Sequence, residues 1–256
     1  MRTDVQSGAY QPRTISRQPK SSRKSKTDWT AYAAAYDLLS DYNPAYQELL
    51  EEFEGTLSGM DTPRLIYDIG GGTGNYSEIA ARKFPESSVY LVEPDPGMTQ
   101  RAREKLSAYD NVTYLDSPFQ EFDPPAPADL VICVHSLYAM PDPESRLFDL
   151  RKLLRPGGTL FLIDLGRKLN IAEWRSYLFS HLTREVGIAK AIQIFWNGRE
   201  IAKQNKAISK AQEEGAYWTH SESELAAAVE KAGFEVMTRK PAYRGYSDLL
   251  VCRAAS

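Results

Sequence analysis

The chain has 256 residues, of which 42% are hydrophobic and 25% charged, with a formal net charge of −3. This composition fits a soluble globular protein large enough for one sizeable α/β domain with additions. An acidic balance excludes a chain built mainly to hold polyanions, and no uninterrupted apolar stretch approaches the roughly 20 residues of a membrane span. The two cysteines, Cys133 and Cys252, lie in apolar runs. They are expected as buried thiols in a reducing, cytoplasmic compartment, with no Cys/His spacing that suggests a metal site.

Residues 1–28 differ in kind from the rest. Arg2, Arg13, Arg17, Lys20, Arg23, Lys24 and Lys26 stand there against Asp4 and Asp28. Too little apolar surface is present to offset the ordering entropy, so this stretch is expected to be a disordered basic tail. Residues 29–59 are expected to form a helical cap. Asp28 caps a first helix with Trp29, Tyr32, Ala33, Tyr36 and Leu39 on one face. Asn43-Pro44 then starts a second, whose stripe is Tyr46, Leu49, Leu50, Phe53 and Leu57, ended by Gly59. The polar tips of Tyr32 and Tyr36 suit the mouth of a site.

Strands and helices then alternate, which predicts a parallel sheet covered on both faces. The strands are Leu65–Ile69, Ser88–Val92, Val112–Leu115, Leu130–Val134 and Thr159–Ile163. A helix from Pro96 turns Met98, Ala102 and Leu106 inward. Another, capped by Asp142 and begun by Pro143, turns Leu147, Leu150 and Leu154 inward. Pro156-Gly157-Gly158 is expected to turn into the fifth strand. Near the C-terminus, Ser221 and Glu224 form a capping box. Phe234–Thr238 and Ser247–Cys252 read as a closing hairpin connected by Pro241–Gly245.

The chemistry-bearing residues fall at the carboxyl ends of these strands: Asp68, Glu93, Asp116 and His135. Such sheets bind ligands there, where the strand order reverses. The first strand runs into Asp68-Ile69-Gly70-Gly71-Gly72-Thr73-Gly74 and then a helical pattern. Glycines let a ligand approach the backbone, and the helix start adds free N–H groups and a positive dipole end. Asn75 stands where a dinucleotide fingerprint would have its last glycine, which disfavours a dehydrogenase. Glu93 follows Gly70 by 23 positions, the place of an acid that accepts hydrogen bonds from a ribose diol.

Taken in order, these motifs resemble the class I S-adenosylmethionine-dependent methyltransferases. The first is Asp68–Gly74, and the second is Val92-Glu93-Pro94-Asp95-Pro96-Gly97-Met98. Asp116-Ser117 resembles the acid ending the third strand, and Leu153–Leu160 resembles the family's proline–glycine–glycine turn. The resemblance implies a Rossmann-like, doubly wound α/β sheet of seven strands, order 3-2-1-4-5-7-6, with the last strand antiparallel. It implies S-adenosylmethionine as methyl donor and S-adenosylhomocysteine as product. Gly70 and Gly72 would lie beside the donor's amino-acid end, with Asp68 near its ammonium. Glu93 would bind the ribose and Met98 would pack on the adenine. Asp116 would accept the adenine amino group, with Ser117 and Phe119 beside it. His135 would sit at the pocket's edge, and Tyr36 at its mouth.

Residues 167–215 exceed what that fold needs. Ile171, Trp174, Leu178, Leu182 and Val186 form one helical stripe; Ile188, Ala191, Ile192, Phe195 and Trp196 form another. The insert is expected to be a helical lid over an acceptor pocket, and insertions at this edge commonly carry specificity. The aromatic cap suits a small-molecule acceptor, methylated at oxygen, nitrogen or carbon by in-line displacement. Candidate bases are His135, Tyr138 and His181, while His220 reads as a loop residue. RNA or protein as acceptor is the alternative, disfavoured because strand four ends in Cys133-Val134-His135-Ser136 and lacks an Asn/Asp-Pro-Pro-Tyr run. A non-catalytic donor-binding subunit is a third reading. Nothing in the sequence sets an oligomeric state.

Overall fold

Short β-rich apolar runs separated by amphipathic helices give the chain its layers. The computed structural model describes residues 27–255, so all but the last two positions of the basic tail lie outside the described residues. Three helices come first: α1 (Trp29–Tyr36), α2 (Leu38–Tyr42) and α3 (Pro44–Ser58). The alternating body follows as β1 (Leu65–Ile69), α4 (Asn75–Lys83), β2 (Ser88–Val92), α5 (Pro96–Lys105), β3 (Val112–Leu115) and β4 (Ala128–Val134). Then come α6 (Pro143–Leu153), β5 (Leu154–Asp164), α7 (Ile171–Val186), α8 (Ile188–Asn197) and α9 (Arg199–Glu213). The chain closes with α10 (Glu222–Lys231), β6 (Phe234–Ala242) and β7 (Ser247–Ala254).

The sheet has seven strands in the order β3-β2-β1-β4-β5-β7-β6. β7 runs antiparallel to both of its neighbours, and the remaining pairs are parallel. Successive strand residues point to opposite faces, which splits the core in two. Ile66, Ile132 and Phe161 pack under α3 and α4, while Tyr67, Cys133 and Leu162 pack against α6 and α10.

Local chemistry explains where the elements start. The Asp28 side chain accepts from the Ala31 amide, and the Asn43 side chain accepts from the Ala45 amide ahead of Pro44. Ser221 and Glu224 complete the capping box. Asp142 occupies the cap position of α6 but with φ 52°, and its side chain makes no capping bond. Leu153, not Leu154, closes the buried stripe of α6, because Leu154 already pairs with Ala128 as the first residue of β5. Pro156-Gly157-Gly158 therefore makes an irregularity inside a long strand, between the Ala128–Leu154 and Leu130–Thr159 pairs. The hairpin turn is also shifted. Pro241 and Ala242 still pair with Asp248 and Ser247, and Tyr243, Arg244 and Gly245 turn the chain with φ of 49°, 58° and 81°.

The second apolar stripe of the insert faces outward. Ile188, Ile192 and Trp196 are 61%, 58% and 70% exposed, and Ala191 with Ile194 forms the buried face against Leu182. On α9 the buried residues include Gln204, Ser209 and Gln212, which the polar pattern hid.

Candidate active site

The turn after β1 is folded back onto β2. The Gly70 amide donates to the Val92 carbonyl at 2.8 Å, and Gly70, Gly72 and Gly74 have φ of 68°, 58° and 82°. Positive φ is the region L side chains avoid. A Cβ on Gly70 would stand 2.5 Å from Ser136 Cβ, and one on Gly74 would stand 2.7 Å from Leu106 Cδ1. Gly72 is different: a Cβ there would meet only Met98 Sδ, at 4.0 Å. It faces the cleft, where its bare backbone forms the floor.

Glu93 lies against this floor. Its Oε2 accepts from the Gly72 amide at 3.0 Å and its Oε1 from the Asp95 amide at 2.9 Å. Each oxygen keeps acceptor capacity for a further donor. Burial pushes the Glu93 carboxyl up to about 7, against the opposing pull of those two amides. Asp68, buried beneath the turn, accepts from Ser77 Oγ at 2.7 Å, and burial pushes it up to about 6.

These residues line a cavity of about 300 Å³, at the small end of ligand pockets. Tyr36, Asp68, Gly70, Gly72, Glu93, Met98, Phe119 and His135 are brought together around it. His135 directly follows β4 and has φ 48°, a costly conformation for a residue other than glycine. Its Nε2 is 2.8 Å from Ser247 Oγ and its ring meets Tyr243 edge-on. Burial lowers the imidazole to about 4, so it is neutral near pH 7.

Other expected site residues are elsewhere. Asp116, 57% exposed at the end of the edge strand β3, takes Arg103 Nη2 at 3.0 Å and does not line the cavity; nor does Ser117. An outer strand end leaves a carboxylate closer to water and to the basic last turn of α5 than to the cleft. Tyr138 is buried against Tyr217 and does not line the cavity, and burial raises its phenol well above its usual range. His181 lies on α7, outside the cavity lining.

The insert contributes no residue to that lining. The expected lid instead backs the N-terminal helices: Tyr32 Oη donates to Asn205 Oδ1 at 3.0 Å, and the Asp28 amide donates to Gln204 Oε1 at 2.9 Å. The cleft's outer wall is Trp29, Tyr36 and Tyr46, from α1 and α3. α1 is fastened to the donor side, where Thr30 Oγ1 donates to Asp95 at 3.0 Å. Lys105 Nζ bonds Asp37 at 2.6 Å, and also bonds Thr73 and Asn75.

Several wall residues escaped the sequence analysis. Tyr46 reads as core because it lies on a clean helical stripe. Asn75, whose Nδ2 donates to Tyr46 Oη at 3.2 Å, was weighed only as a missing glycine. Its place at the first turn after the glycine motif was the usable signal. Ser136 and Met140 also face the cavity. His220 is a fully buried residue whose Nε2 lies 3.1 Å from Asp164 Oδ2. Asp164 Oδ1 in turn accepts from the Tyr138 amide, which holds the turn that carries Ala139 and Met140 into the wall.

Residues 38–239 match the model of the methyltransferase domain family. The chain belongs to this family. It carries a class I S-adenosylmethionine-dependent methyltransferase domain. The methyltransferase is 27% identical over 183 residues to malonyl-[acyl-carrier protein] O-methyltransferase 1 of Ilyobacter polytropus, covering 71% of this chain and 66% of that protein. It is 26% identical over 151 residues to the ubiquinone/menaquinone biosynthesis C-methyltransferase UbiE of Hahella chejuensis, covering 57% of this chain and 61% of that one. These alignments thus span somewhat under two thirds of the relatives' lengths. Among solved structures, the N-methyltransferase NodS of Bradyrhizobium japonicum, in complex with S-adenosylhomocysteine, superposes with a TM-score of 0.59 at 15% identity over 90% of this chain and all of that one. A methyltransferase from Aquifex aeolicus gives 0.57 at 18% identity over the same shares. Both likenesses concern the fold. Among the described residues no helix is long and apolar enough to cross a membrane, and no group of acidic, Cys and His side chains is arranged to hold a metal.

Proposed function

We propose that this methyltransferase transfers the methyl group of S-adenosylmethionine to a small molecule held between the glycine turn and the aromatic wall of α1 and α3. The observation that carries the reading is Glu93. A buried carboxylate is suspended between two backbone amides, with spare acceptor capacity, beside a glycine whose missing side chain leaves the cleft floor open. That is the chemistry a ribose diol needs. Asp68 and the glycine backbone suit an ammonium group, and Met98 with Phe119 suits a flat base. The donor supplies an electrophilic methyl on a sulfonium. The protein's part is to hold the acceptor in line with it and to keep water out. The enclosed, aromatic wall supports a small acceptor over a macromolecule.

Calorimetry on the full chain tests the reading. S-adenosylmethionine and S-adenosylhomocysteine are expected to bind in the micromolar range, and NAD(H) is expected not to bind. Tight NAD(H) binding with no affinity for either sulfur compound would overturn it.

A further inference from the structure

The insert, which takes no part in the cleft lining, carries a surface of its own. Ile188, Ile192 and Trp196 of α8 stand exposed on one face, opposite the buried Ala191 and Ile194. Phe179 of α7 is exposed as well and meets Phe195 edge-on at 5.5 Å, so the apolar surface runs across two helices. Single exposed apolar residues are common, whereas a contiguous group marks an interaction surface. Beside it lies a row of cations. Arg199, Lys203, Lys206 and Lys210 follow at spacings of 4, 3 and 4, which sets them on one face of α9, and all four are exposed. Lys203 and Lys210 make local pairs with Glu200 and Glu214, of a kind worth little in water. Arg199 joins the two parts: its guanidinium lies 5.2 Å over the Trp196 ring, and its Nη1 donates to the Trp196 carbonyl at 3.0 Å. The whole-chain charge of −3 conceals this concentration. Residues 184–210 carry six Lys or Arg against Glu185 and Glu200. Residues 1–26 carry seven against Asp4, and the chain leaves that stretch beside α9, where the Asp28 amide donates to Gln204.

We propose that the α8–α9 edge docks on a membrane surface bearing anionic headgroups. α8 lies along the interface with Ile188, Ile192 and Trp196 in the acyl boundary, and the α9 cations with the basic N-terminal residues meet the headgroups. Trp and Lys suit this place, the one with a flat apolar body and a polar edge, the other with an apolar stem under a charged tip. The helix lies on the bilayer and does not cross it: its ten residues rise about 15 Å, half the hydrocarbon thickness. Other occupants satisfy only part of the surface. A two-fold contact between copies sets the same patch against itself and brings two cationic rows together. A nucleic acid pairs with the cations but leaves Ile188 and Ile192 against phosphate or water. The face is also the outside of a helix and not a groove, so it has no pocket to seat an anchoring side chain of a protein partner. A fluid acyl boundary needs none.

Vesicle binding by the full chain, without ligand, tests the proposal independently of the methyl-transfer reading. Vesicles of phosphatidylcholine alone are compared, by sedimentation, with vesicles of equal parts phosphatidylcholine and phosphatidylglycerol. The mixed vesicles are expected to bind about tenfold or more tightly, and the excess to fall as salt rises from about 0.1 M to about 1 M. Ile192→Ser with Trp196→Ser, and separately Lys203→Gln with Lys206→Gln, are each expected to weaken binding by about tenfold. Their melting temperatures should stay near wild type, because all four side chains are exposed. Arg23→Gln, Lys24→Gln and Lys26→Gln together are expected to weaken binding by a similar factor. A wild-type chain that ignores the mixed vesicles, or binds both kinds alike, overturns the proposal whatever the variants do. Tighter vesicle binding after the Arg23, Lys24 and Lys26 changes would show that residues 1–26 compete with lipid for the patch. Concentration-dependent dimers abolished by the Ile192 and Trp196 changes would show a second copy as occupant. RNA binding lost with the Lys203 and Lys206 changes, without vesicle binding, would assign the surface to nucleic acid. Each of these three outcomes overturns the proposal as well.

Discussion

The two walls of the cleft are built by different means. The wall proposed for the donor is backbone: a turn with three left-handed glycines, held to β2 by the Gly70–Val92 bond and facing an acid fixed by two amides. The wall proposed for the acceptor is side chains from α1 and α3, held from behind by α9 through Tyr32–Asn205 and Asp28–Gln204. Backbone geometry tolerates few sequences, so the glycine wall is written in a short motif. Side-chain walls accept many sequences, so the acceptor side can vary while the donor side stays fixed.

The comparison is broken most severely at Gly70. Gly70→Ala forces a left-handed alanine whose Cβ meets Ser136 at 2.5 Å. Strain and overpacking together are expected to cost about 2–4 kcal/mol, seen in denaturant unfolding, together with loss of donor binding. If stability and donor affinity stay near wild type, the donor wall is not set by its backbone.

Glu93→Ala comes next. A charge-assisted hydrogen bond is worth roughly 1.5–3 kcal/mol, so donor affinity is expected to fall by about tenfold to a hundredfold. Thermal melts of the unliganded protein are expected to fall as well, because the buried carboxylate holds the Gly72 and Asp95 amides, so the affinity loss is read under conditions where both proteins are folded. Glu93→Gln should fall between wild type and alanine.

The third effect is on pH. The folded Glu93 carboxyl at about 7 is raised from its ordinary 4.5. Between those values the folded state holds a proton that the unfolded state has lost, so this group's contribution to stability declines as pH rises through the window. Glu93→Gln removes that decline. Its melting temperature relative to wild type is expected to rise from pH 5 to pH 7.5. Donor binding runs the other way, since it uses the ionised acid. Affinity at pH 6 should be about tenfold below that at pH 8, and calorimetry at the two values checks it. His135, depressed to about 4 by burial, acts oppositely and loses stability as pH falls below its ordinary 6.5. For that reason the comparison must be made against Glu93→Gln and not on wild type alone.

The smallest effect is expected at Asp116. Asp116→Asn leaves the cleft untouched and breaks only an exposed pair with Arg103. Donor affinity should stay within about twofold. A tenfold loss would bring Asp116 into the donor wall after all.

The sheet, its order and the glycine turn were legible because each rests on local signals. Apolar runs bounded by turns mark the strands, and the spacing of Gly70, Gly72 and Glu93 marks the crossing. What was hidden depends on contacts far apart in the chain. Nothing near Tyr46 says that its phenol lies beside Asn75. The polar pattern of α9 concealed that Gln204 and Gln212 face inward, the latter donating to the Leu165 carbonyl. Asp116 was placed in the cleft by a resemblance at its position, whereas its partner, Arg103, comes from the preceding helix. The apolar stripe of α8 is expected to belong to a lid over the acceptor pocket, yet periodicity reports that a helix has an apolar face and not what covers it.

Asp95 has a consequence for the order of events in the cleft. Its amide is held by Glu93, its Oδ1 caps α5, and its carboxylate also takes Thr30 of α1. The acid expected to bind the donor is therefore one residue away from the helix that walls the acceptor. Whatever preference a ligand at Glu93 imposes on the seating of α1 is returned, by the same factor, as a change in that ligand's affinity when an acceptor fixes α1. Asp95 joins the two sides of the cleft, beside the Lys105–Asp37 and Asn75–Tyr46 contacts. Binding of either ligand, measured with and without the other, reads the strength of that joint.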